Sequence, residues 1–283
     1  MTDQAASRRL RILEDLIGSA NGSDLEFFAA KYGVDDRTIR RDIDFIQQIA
    51  TGISQISLIR GKVIASKDWT GAGYFGDQVE RNLASKQAIA RTVALSIEDN
   101  IAIGLTAGST TFHVAREIRR RFVTDEQPKN LIAFTNSLPA LSEFIGAGIS
   151  TGILGEVYNE DDCAFHSHEY RSQFQPNLLI IGASGAVINL VGGSLELYSQ
   201  RAEEAFFLKQ LIAPVTRLVV VVDGSKIGNR HPWAFVNSSS LRGKHVKLVT
   251  SGVSGIAAVN LESLTKQAAQ FDYEFEYEIV KEQ

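Results

Sequence analysis

The sequence has little of three features that would mark a specialised class of protein. It contains one cysteine, Cys163, which excludes an internal disulfide framework and suits a reducing compartment, where we expect a small buried side chain. A membrane-spanning helix needs about 18 apolar residues in a row, and no stretch of the sequence approaches that length. The amphipathic opening also lacks the apolar core of a signal peptide. We therefore expect a cytoplasmic protein without a membrane partner.

An excess of charge of one sign is also missing, because the formal net charge is -4 for 283 residues. Residues 1–67 carry ten Lys/Arg against nine Asp/Glu, or +1, which leaves -5 for the remaining chain. Such a small difference does not indicate nucleic-acid binding by itself, since the usual footprint is a basic patch. The positions of the cations must therefore decide the question.

Three short helices are predicted at the start of the chain. Residues 7–17 have apolar side chains at helical spacing. An S-x-x-E capping box at residues 23–26 predicts the start of a second helix that ends at Gly33, and Asp35 or Asp36 caps a third helix. Two helices joined by a tight turn have the dimensions of a helix-turn-helix.

The third helix contains the string VDDRTIRRDIDF, residues 34–45, which combines cations with isoleucines. At about 100° per residue, Ile39, Ile43 and Ile46 share one face, which we expect to be buried. The exposed start of the helix carries side chains that can bind phosphates or base edges, namely Arg37, Thr38, Arg40 and Arg41. An ordinary solvated helix with an Arg40–Asp44 ion pair is the alternative.

The following residues predict a wing, a linker and a second domain. ISQISLIRGKVIAS alternates like a β-hairpin with Arg60-Gly61-Lys62 as its turn, and DWTGAGYFGD has three glycines and no clear periodicity. We therefore assign residues 1–67 to a winged helix-turn-helix domain, residues 68–77 to a linker, and residues 78–283 to a larger α/β domain for ligand binding and oligomerisation.

Short apolar runs alternate with helical patterns in the second domain, which predicts a mainly parallel sheet covered by helices. Small polar clusters follow four of the runs: AGSTT, TNS, GASG and DGSK. Ligands of open parallel sheets bind beyond the carboxyl ends of the strands, so the clusters predict a ligand site there. A phosphate would fit at AGSTT, where glycine admits the ligand and the next helix offers free N–H groups.

The order of several strings is similar to that of a known family. RRLRILEDL, DLEFFAAKYGV and TIRRDI match its DNA-binding domain, and SKQAIA, GSTT, TNS, EEAFFLKQLI and DGSKIG match the landmarks of its sensor domain. Over nearly its whole length the chain resembles the DeoR family of sugar-responsive transcriptional repressors. The resemblance implies an α+β winged helix-turn-helix domain followed by an α/β sensor domain built like ribose-5-phosphate isomerase and coenzyme A transferases.

The resemblance also implies the partners, which are operator DNA and a phosphorylated sugar that changes the DNA-binding state. Helix-turn-helix proteins read paired half-sites, so we expect a homodimer or homotetramer. No cofactor, metal or catalytic residue is expected. By motif position, the residues expected to bind the effector are Ser109, Thr110, Thr111, Asn136, Ser137, Asp223 and Lys226.

Three other interpretations remain at this stage. A sugar-phosphate isomerase or transferase-like enzyme would need a carboxylate, and Glu156 is the candidate. CAFHSHE contains the possible metal ligands Cys163, His166, His168 and Glu169, but without a second cluster a solvated loop or cavity rim is favoured. An interaction module without ligand would leave the four polar clusters unexplained.

Overall fold

The computed structural model describes residues 5, 8–9, 11–12, 15, 23–49, 54–59, 62–67, 73–124, 128–159, 161–167 and 175–282. Among these residues, no helix combines the length and the apolar character that a membrane crossing requires. For residues 54–59 and 62–67 the structure describes the backbone but not the side chains.

The N-terminal helices pack around a small apolar core. Described residues between 5 and 15 are helical, and two further helices follow, α1 (Leu25–Tyr32) and α2 (Asp36–Ile49). Gly33 ends α1 with a φ of 65°, as predicted, because this left-handed conformation suits glycine. The core consists of Ile12, Leu25, Phe28, Ile39, Ile43 and Ile46, and the last three form the predicted buried face of α2.

The start of α1 differs from the prediction. Ser23–Asp24 forms a short strand, β1, and Asp24 is the N-cap of α1 without a side-chain capping hydrogen bond. The predicted capping box, with Ser23 as the N-cap residue of α1, was therefore wrong. The cap of α2 was predicted correctly, because the Asp35 carboxylate accepts a hydrogen bond from the Thr38 backbone N–H at 2.7 Å.

An antiparallel hairpin follows, formed by β2 (Ser54–Ile59) and β3 (Lys62–Lys67), and β3 also pairs with β1. Ile59 pairs with Lys62, so Lys62 belongs to the strand and only residues 60–61, outside the described residues, remain for the turn. The hairpin itself was predicted, but the assignment of Lys62 to its turn was wrong.

A buried ion pair, which the sequence did not indicate, fixes α2 against the first helix. Asp42 is 1% exposed and accepts hydrogen bonds from the guanidinium groups of Arg8 and Arg9, the latter at 2.7 Å. Arg9 also lies 3.8 Å above the Phe45 ring, in cation–π geometry. These two arginines therefore hold the helix in place instead of facing a ligand.

Helix α3 (Gly73–Glu80) begins inside the predicted linker. Its side chains Phe75 and Val79 pack against Phe112 and Cys163, which lie farther along the chain. Cys163 is buried, as expected. Residues 73–77 of the predicted linker are thus part of a packed helix. The rest of the predicted linker, residues 68–72, lies outside the described residues.

The centre of the following region is a seven-stranded sheet of order β15-β14-β12-β9-β4-β5-β6, and all of its neighbouring pairs are parallel. This confirms the predicted parallel sheet. Its strands are β4 (Ala102–Leu105), β5 (Ile132–Thr135), β6 (Ser150–Ile153), β9 (Leu178–Ile181), β12 (Arg217–Val221), β14 (His245–Ser251) and β15 (Glu274–Val280).

Helices cover both faces of the sheet, because successive strand residues point to opposite sides. Leu178 and Ile180 face one apolar cluster, whereas Leu179 and Ile181 face the other. The first cluster includes residues of α4 (Leu83–Leu95), α5 (Ser109–Val123) and α6 (Leu138–Ala147), and the second those of α7 (Ala202–Ile212) and α9 (Gly255–Gln267).

Smaller elements complete the described fold. A three-stranded antiparallel sheet has the order β10-β11-β13, and β7 pairs with β8. The remaining elements are β7 (Val157–Asn159), β8 (Ala164–His166), β10 (Gly185–Asn189), β11 (Ser194–Ser199), β13 (Trp233–Val236), the one-turn helix α8 (Ser238–Leu241) and the 3-10 turns Gly224–Lys226 and Ala268–Phe271.

The strand order reverses once. From β4 the chain proceeds to β5 and β6 on one side, whereas β9, β12, β14 and β15 follow on the other. The loops after β4 and β9 therefore diverge, and a crevice opens between them at the carboxyl ends of the strands.

Candidate functional site

A cavity of about 340 Å³ lies at this crevice. Three of the four predicted polar junctions contribute to its wall: Gly108 to Thr110 after β4, Gly182 to Ser184 after β9, and Asp223 to Lys226 after β12. The fourth junction lies outside the cavity lining. The α3–α4 connection and residues on β8, β11 and α7, or beside them, close the remaining sides.

The first junction presents the start of α5 to the cavity. Gly108 is the N-cap residue, with a φ of 141° that is open to glycine, and it has no side chain to occupy the N–H groups of the first turn. Thr110 is 2% exposed, and its hydroxyl oxygen has no hydrogen-bond partner among the described residues. By contrast, the Thr111 hydroxyl donates to the Gly108 carbonyl at 2.9 Å.

Three cationic side chains surround this helix start. The Lys226 ammonium donates to the Ala183 carbonyl at 3.0 Å, and burial lowers its pKa although Asp223 counteracts the shift. Lys86 is 2% exposed and donates to the carbonyls of Gln78 and Arg81, at the end of α3. Burial, and then the charge of Lys226, lower the pKa of Lys86 to about 8.

Arg81 is the third cation, and its exposed side chain makes no hydrogen bond or ion pair with a described residue. Burial is the main cause of the lowered pKa of both lysines, and the charges of neighbouring cations lower the pKa further. A dianion placed among them would relieve the repulsion between these cations.

Asp223 organises the third junction. Its carboxylate accepts hydrogen bonds from the Ser225 hydroxyl, the Ser225 backbone N–H at 3.2 Å and the Asn82 side chain at 3.1 Å. Burial raises the pKa of Asp223, but the bonds from Ser225 and the charge of Lys226 outweigh it and hold the pKa below its ordinary value. Asp223 is therefore an anion that orients the loop bearing Lys226.

A group of acidic residues in the cavity wall was not predicted. The Arg201 guanidinium contacts Asp161 at 2.8 Å and Asp162 at 3.2 Å, and His166 lies 2.9 Å from Asp162. Glu204 accepts a hydrogen bond from Ser199, and burial raises the pKa of Glu204. One oxygen of Asp162, Oδ1, is buried without a hydrogen-bond partner among the described residues. This group offers acceptors, and also a donor when Glu204 is protonated.

The TNS junction lies behind the cavity. Asn136 accepts from the Ala107 backbone N–H at 2.7 Å and donates to the Phe165 carbonyl at 3.1 Å. Ser137 is the N-cap of α6 and accepts from the Ala140 backbone N–H at 3.2 Å. The structure thus places Asn136, Ser137 and Thr111 in supporting positions, outside the cavity wall that contains Ser109, Thr110, Asp223 and Lys226.

The residues of the alternative interpretations are also dispersed. Glu156 is exposed and is absent from the cavity lining. Groups of three or more His, Cys, Asp or Glu side chains that could hold a metal ion are not found in the described part of the chain. His168 and Glu169 lie outside it. His166 belongs instead to the rim of the cavity, through its contact with Asp162.

A second candidate surface lies on α2. Arg37, Arg40 and Arg41 are exposed and, within the described residues, make no hydrogen bond or ion pair, and the alternative Arg40–Asp44 pair does not form. Thr38 is half-buried and bonded to Asp35, which lowers the pKa of that carboxyl. The three guanidinium groups are therefore available to an external anion.

The described chain thus contains a polar cavity at the strand ends and a helix with exposed cations. Residues 81–243, more than half of the chain, match the DeoR C terminal sensor domain. The chain belongs to the DeoR family and is a transcriptional regulator.

Two curated relatives span most of the chain. A protein of Escherichia coli O157:H7 named as a transcriptional repressor of the aga operon is 26% identical over 277 residues, 94% of this chain and 92% of its own. The HTH-type transcriptional regulator GlpR of Haloferax volcanii is 25% identical over 243 residues, 83% of this chain and 86% of its own.

Similar solved structures include one enzyme and one regulator. Ribose 5-phosphate isomerase from Plasmodium falciparum has a TM-score of 0.38 and 20% identity, covering 50% of this chain and 52% of its own. The full-length sorbitol operon regulator SorC from Klebsiella pneumoniae has a TM-score of 0.30 and 11% identity, covering 79% of this chain and 88% of its own.

Sequence reasoning missed six charged residues of the cavity wall. One had a visible signal, since Lys86 is a lone lysine within the apolar run ASKQAIA, and a cation there needs a buried partner. The others are Arg81, Asp161, Asp162 and Arg201, from connections with no motif of their own, and Glu204, which lies on α7 within the family landmark EEAFFLKQLI.

The two threonines at the start of α5 provide a matched test. Thr110→Val removes a buried hydroxyl without a described partner, so we expect the unliganded protein to be unchanged or stabilised by up to about 1 kcal/mol. Thr111→Val removes a hydroxyl that is bonded to Gly108, so it should destabilise by about 1 kcal/mol. Chemical denaturation of the two variants measures both effects. Equal destabilisation would contradict the idea that Thr110 is reserved for a ligand.

Proposed function

We propose that the chain is a sequence-specific repressor in which residues 1–67 form a winged helix-turn-helix domain, residues 78–283 form the effector-binding domain, and a phosphorylated sugar in the cavity changes operator affinity. The observation that carries the proposal is the start of α5, where a free hydroxyl and three cations converge on one cavity. Membership of the DeoR family supports the same conclusion.

The exposed arginines support DNA contact by α2. A salt-bridged helix would use its cations internally, but Arg37, Arg40 and Arg41 make no hydrogen bond or ion pair with a described residue. The buried Asp42 is instead paired with Arg8 and Arg9. Exposed guanidinium groups bind backbone phosphates and the O6 and N7 acceptors of guanine. Thr38 is half-buried and bonded to Asp35, so we assign it a supporting role beside these arginines.

The residues that line the cavity support a phosphorylated sugar as effector. Lys86, Lys226 and the N–H groups of α5 form a cationic end that suits a phosphate. Asp162 and Glu204 line the same cavity and add polar groups that suit sugar hydroxyls. A cavity of about 340 Å³ has a volume in the range of small-molecule sites. Two relatives named as transcriptional regulators are consistent with this assignment.

The same carboxylates argue against catalysis. Asp223 is a loop cap, Asp162 is paired with Arg201, and Glu204 is hydrogen-bonded to Ser199. The remaining candidate, Glu156, is exposed outside the cavity. An isomerase needs a carboxylate base that is free to reach a sugar carbon, and none of these four has that arrangement.

Lys86 provides a connection between ligand and DNA-binding domain. Its ammonium lines the cavity and also holds the last carbonyls of α3, the helix nearest in sequence to the N-terminal domain. A bound phosphate would compete for that ammonium and loosen α3. Such a shift links the two functions, because an effector acts by binding one state better than the other.

Exposed apolar side chains at the sheet edge support an oligomer. Ile153 on edge strand β6 is 51% exposed, Val157 is 65% exposed and Tyr158 is 40% exposed. A neighbouring apolar patch of this kind is typical of an association surface. Two copies would place two α2 helices on paired half-sites.

DNA binding by α2 is tested with the double variant Arg40→Ala, Arg41→Ala. Operator affinity should fall by about 2–6 kcal/mol, since each arginine makes a charged or bidentate contact. The denaturation midpoint should barely move, because neither side chain has a described partner. Arg242→Ala, which removes an exposed cation of the other domain, is the control. Normal operator binding with an unchanged salt dependence would refute the DNA role.

The effector site is tested with Lys226→Ala in an operator-binding assay titrated with a panel of sugar phosphates. Loss of one charge-assisted contact should weaken the response to the active compound at least about tenfold. Operator affinity without effector should be retained. Lys209→Ala, which removes an exposed lysine on α7, serves as the control and should respond like the wild type. If Lys226→Ala also responds normally, the phosphate lies elsewhere.

The lowered pKa of Lys86 predicts how effector affinity depends on pH. Its pKa of about 8 in the unliganded protein should rise when a phosphate binds, so binding takes up a proton above that pH. Affinity for the active sugar phosphate should therefore fall as pH rises from about 8 to 9.5, where the phosphate itself no longer titrates. Calorimetric titration measures the change. Lys86→Met should flatten this dependence of affinity on pH. An equally steep fall in affinity in this variant would disprove the role of Lys86.

A further inference from the structure

A second depression, a groove of about 520 Å³, lies between α4 and the C-terminal half of α5, away from the cavity at the strand ends. Its wall contains Arg91 on α4 and Arg116, Arg119 and Arg120 on α5. Four arginines on one groove contrast with the negative net charge of the whole chain. Neither the proposed repressor activity nor the proposed effector site uses these side chains.

Nearby carboxylates only partly compensate the arginines. Glu143 contacts Arg119 at 2.7 Å and Arg116 at 4.0 Å, and Glu117 contacts Arg120 at 2.9 Å. His113 contributes no charge at neutral pH, because burial lowers its pKa to about 4, and its ring lies 3.2 Å from the Val79 carbonyl. Among the described residues, the ion pairs of the groove thus join three of its four arginines to two glutamates.

Two of the guanidinium groups have unused donors. Arg119 is 8% exposed, and although its Nη1 donates to Glu143, its Nη2 is buried without a hydrogen-bond partner among the described residues. Arg91 is half-buried and makes no hydrogen bond or ion pair with any residue of the described part of the chain. A buried guanidinium nitrogen without an acceptor is unfavourable unless a ligand supplies one.

We propose that this groove is a second anion-binding site, which takes the phosphate group of a small phosphorylated metabolite between Arg91 and Arg119. Arginine suits that group because its planar fork matches two phosphate oxygens. The remaining volume of the groove accommodates the rest of the metabolite. Its floor is shared with α3 through the contact of His113 with Val79, so the site reaches the same helix that Lys86 holds.

The test uses inorganic phosphate as the probe, titrated calorimetrically into the full-length protein at constant ionic strength. Wild type should bind phosphate at two sites, and Arg91→Gln should weaken one of them at least about tenfold. Arg242→Gln, which removes an exposed cation elsewhere in the same domain, should bind like the wild type. Identical isotherms for Arg91→Gln and Arg242→Gln would overturn the proposal.

Further arms separate this site from the effector cavity and from other occupants. Lys226→Ala should lose the other phosphate site and keep the one sensitive to Arg91, so the two assignments fail independently. In phosphate-free buffer, Arg91→Gln should keep the wild-type oligomeric mass and operator affinity. A change in mass would mean that a second copy fills the groove, and a loss of operator affinity would mean that DNA does. Either result contradicts the proposal.

Discussion

The parallel arrangement of the central sheet is the constraint on which the candidate site depends. Because all seven strands run in one direction, their carboxyl ends meet at one edge, and every following loop starts there. The reversal of strand order between β4 and β9 then separates two of those loops and opens the cavity. The N-terminus of α5 points into this opening because it directly follows β4. The charges of Lys86 and Lys226 act at a place that the topology has already formed.

Much of this arrangement could be predicted from the chain alone, because it depends on local patterns. Apolar runs followed by AGSTT, GASG and DGSK predict strand ends with polar junctions, and the spacing of Ile39, Ile43 and Ile46 predicts the buried face of α2. What a pattern could not decide was the direction of a side chain once the loops had packed. Asn136 and Ser109 both lie in small polar clusters that follow a strand. The Asn136 side chain nevertheless points inward and bonds to the backbone of Ala107 and Phe165.

Contacts between distant segments were beyond the reach of such patterns. Arg8 and Arg9 resemble the arginines of α2 in sequence, but they neutralise Asp42, which lies more than thirty residues away. The group of acidic residues in the cavity wall has the same origin, because Asp162 and Arg201 come from connections with no recognisable motif. Residues 73–77 of the predicted linker are helical for a related reason. Its glycines suggested a loop, but Phe75 and Val79 find an apolar partner in Phe112.

Helix α5 has a consequence for how two ligands would influence each other. Thr110, at its start, and Arg119 are separated by about 14 Å along the axis, at about 1.5 Å per residue. That distance exceeds the Debye length of about 8 Å at physiological ionic strength, so two bound phosphates would scarcely interact through solvent. Beside any coupling through the buried charges, the rigid helix and its contacts with α3 offer a mechanical route for cooperativity. Such cooperativity would persist in concentrated salt, where a purely electrostatic coupling disappears.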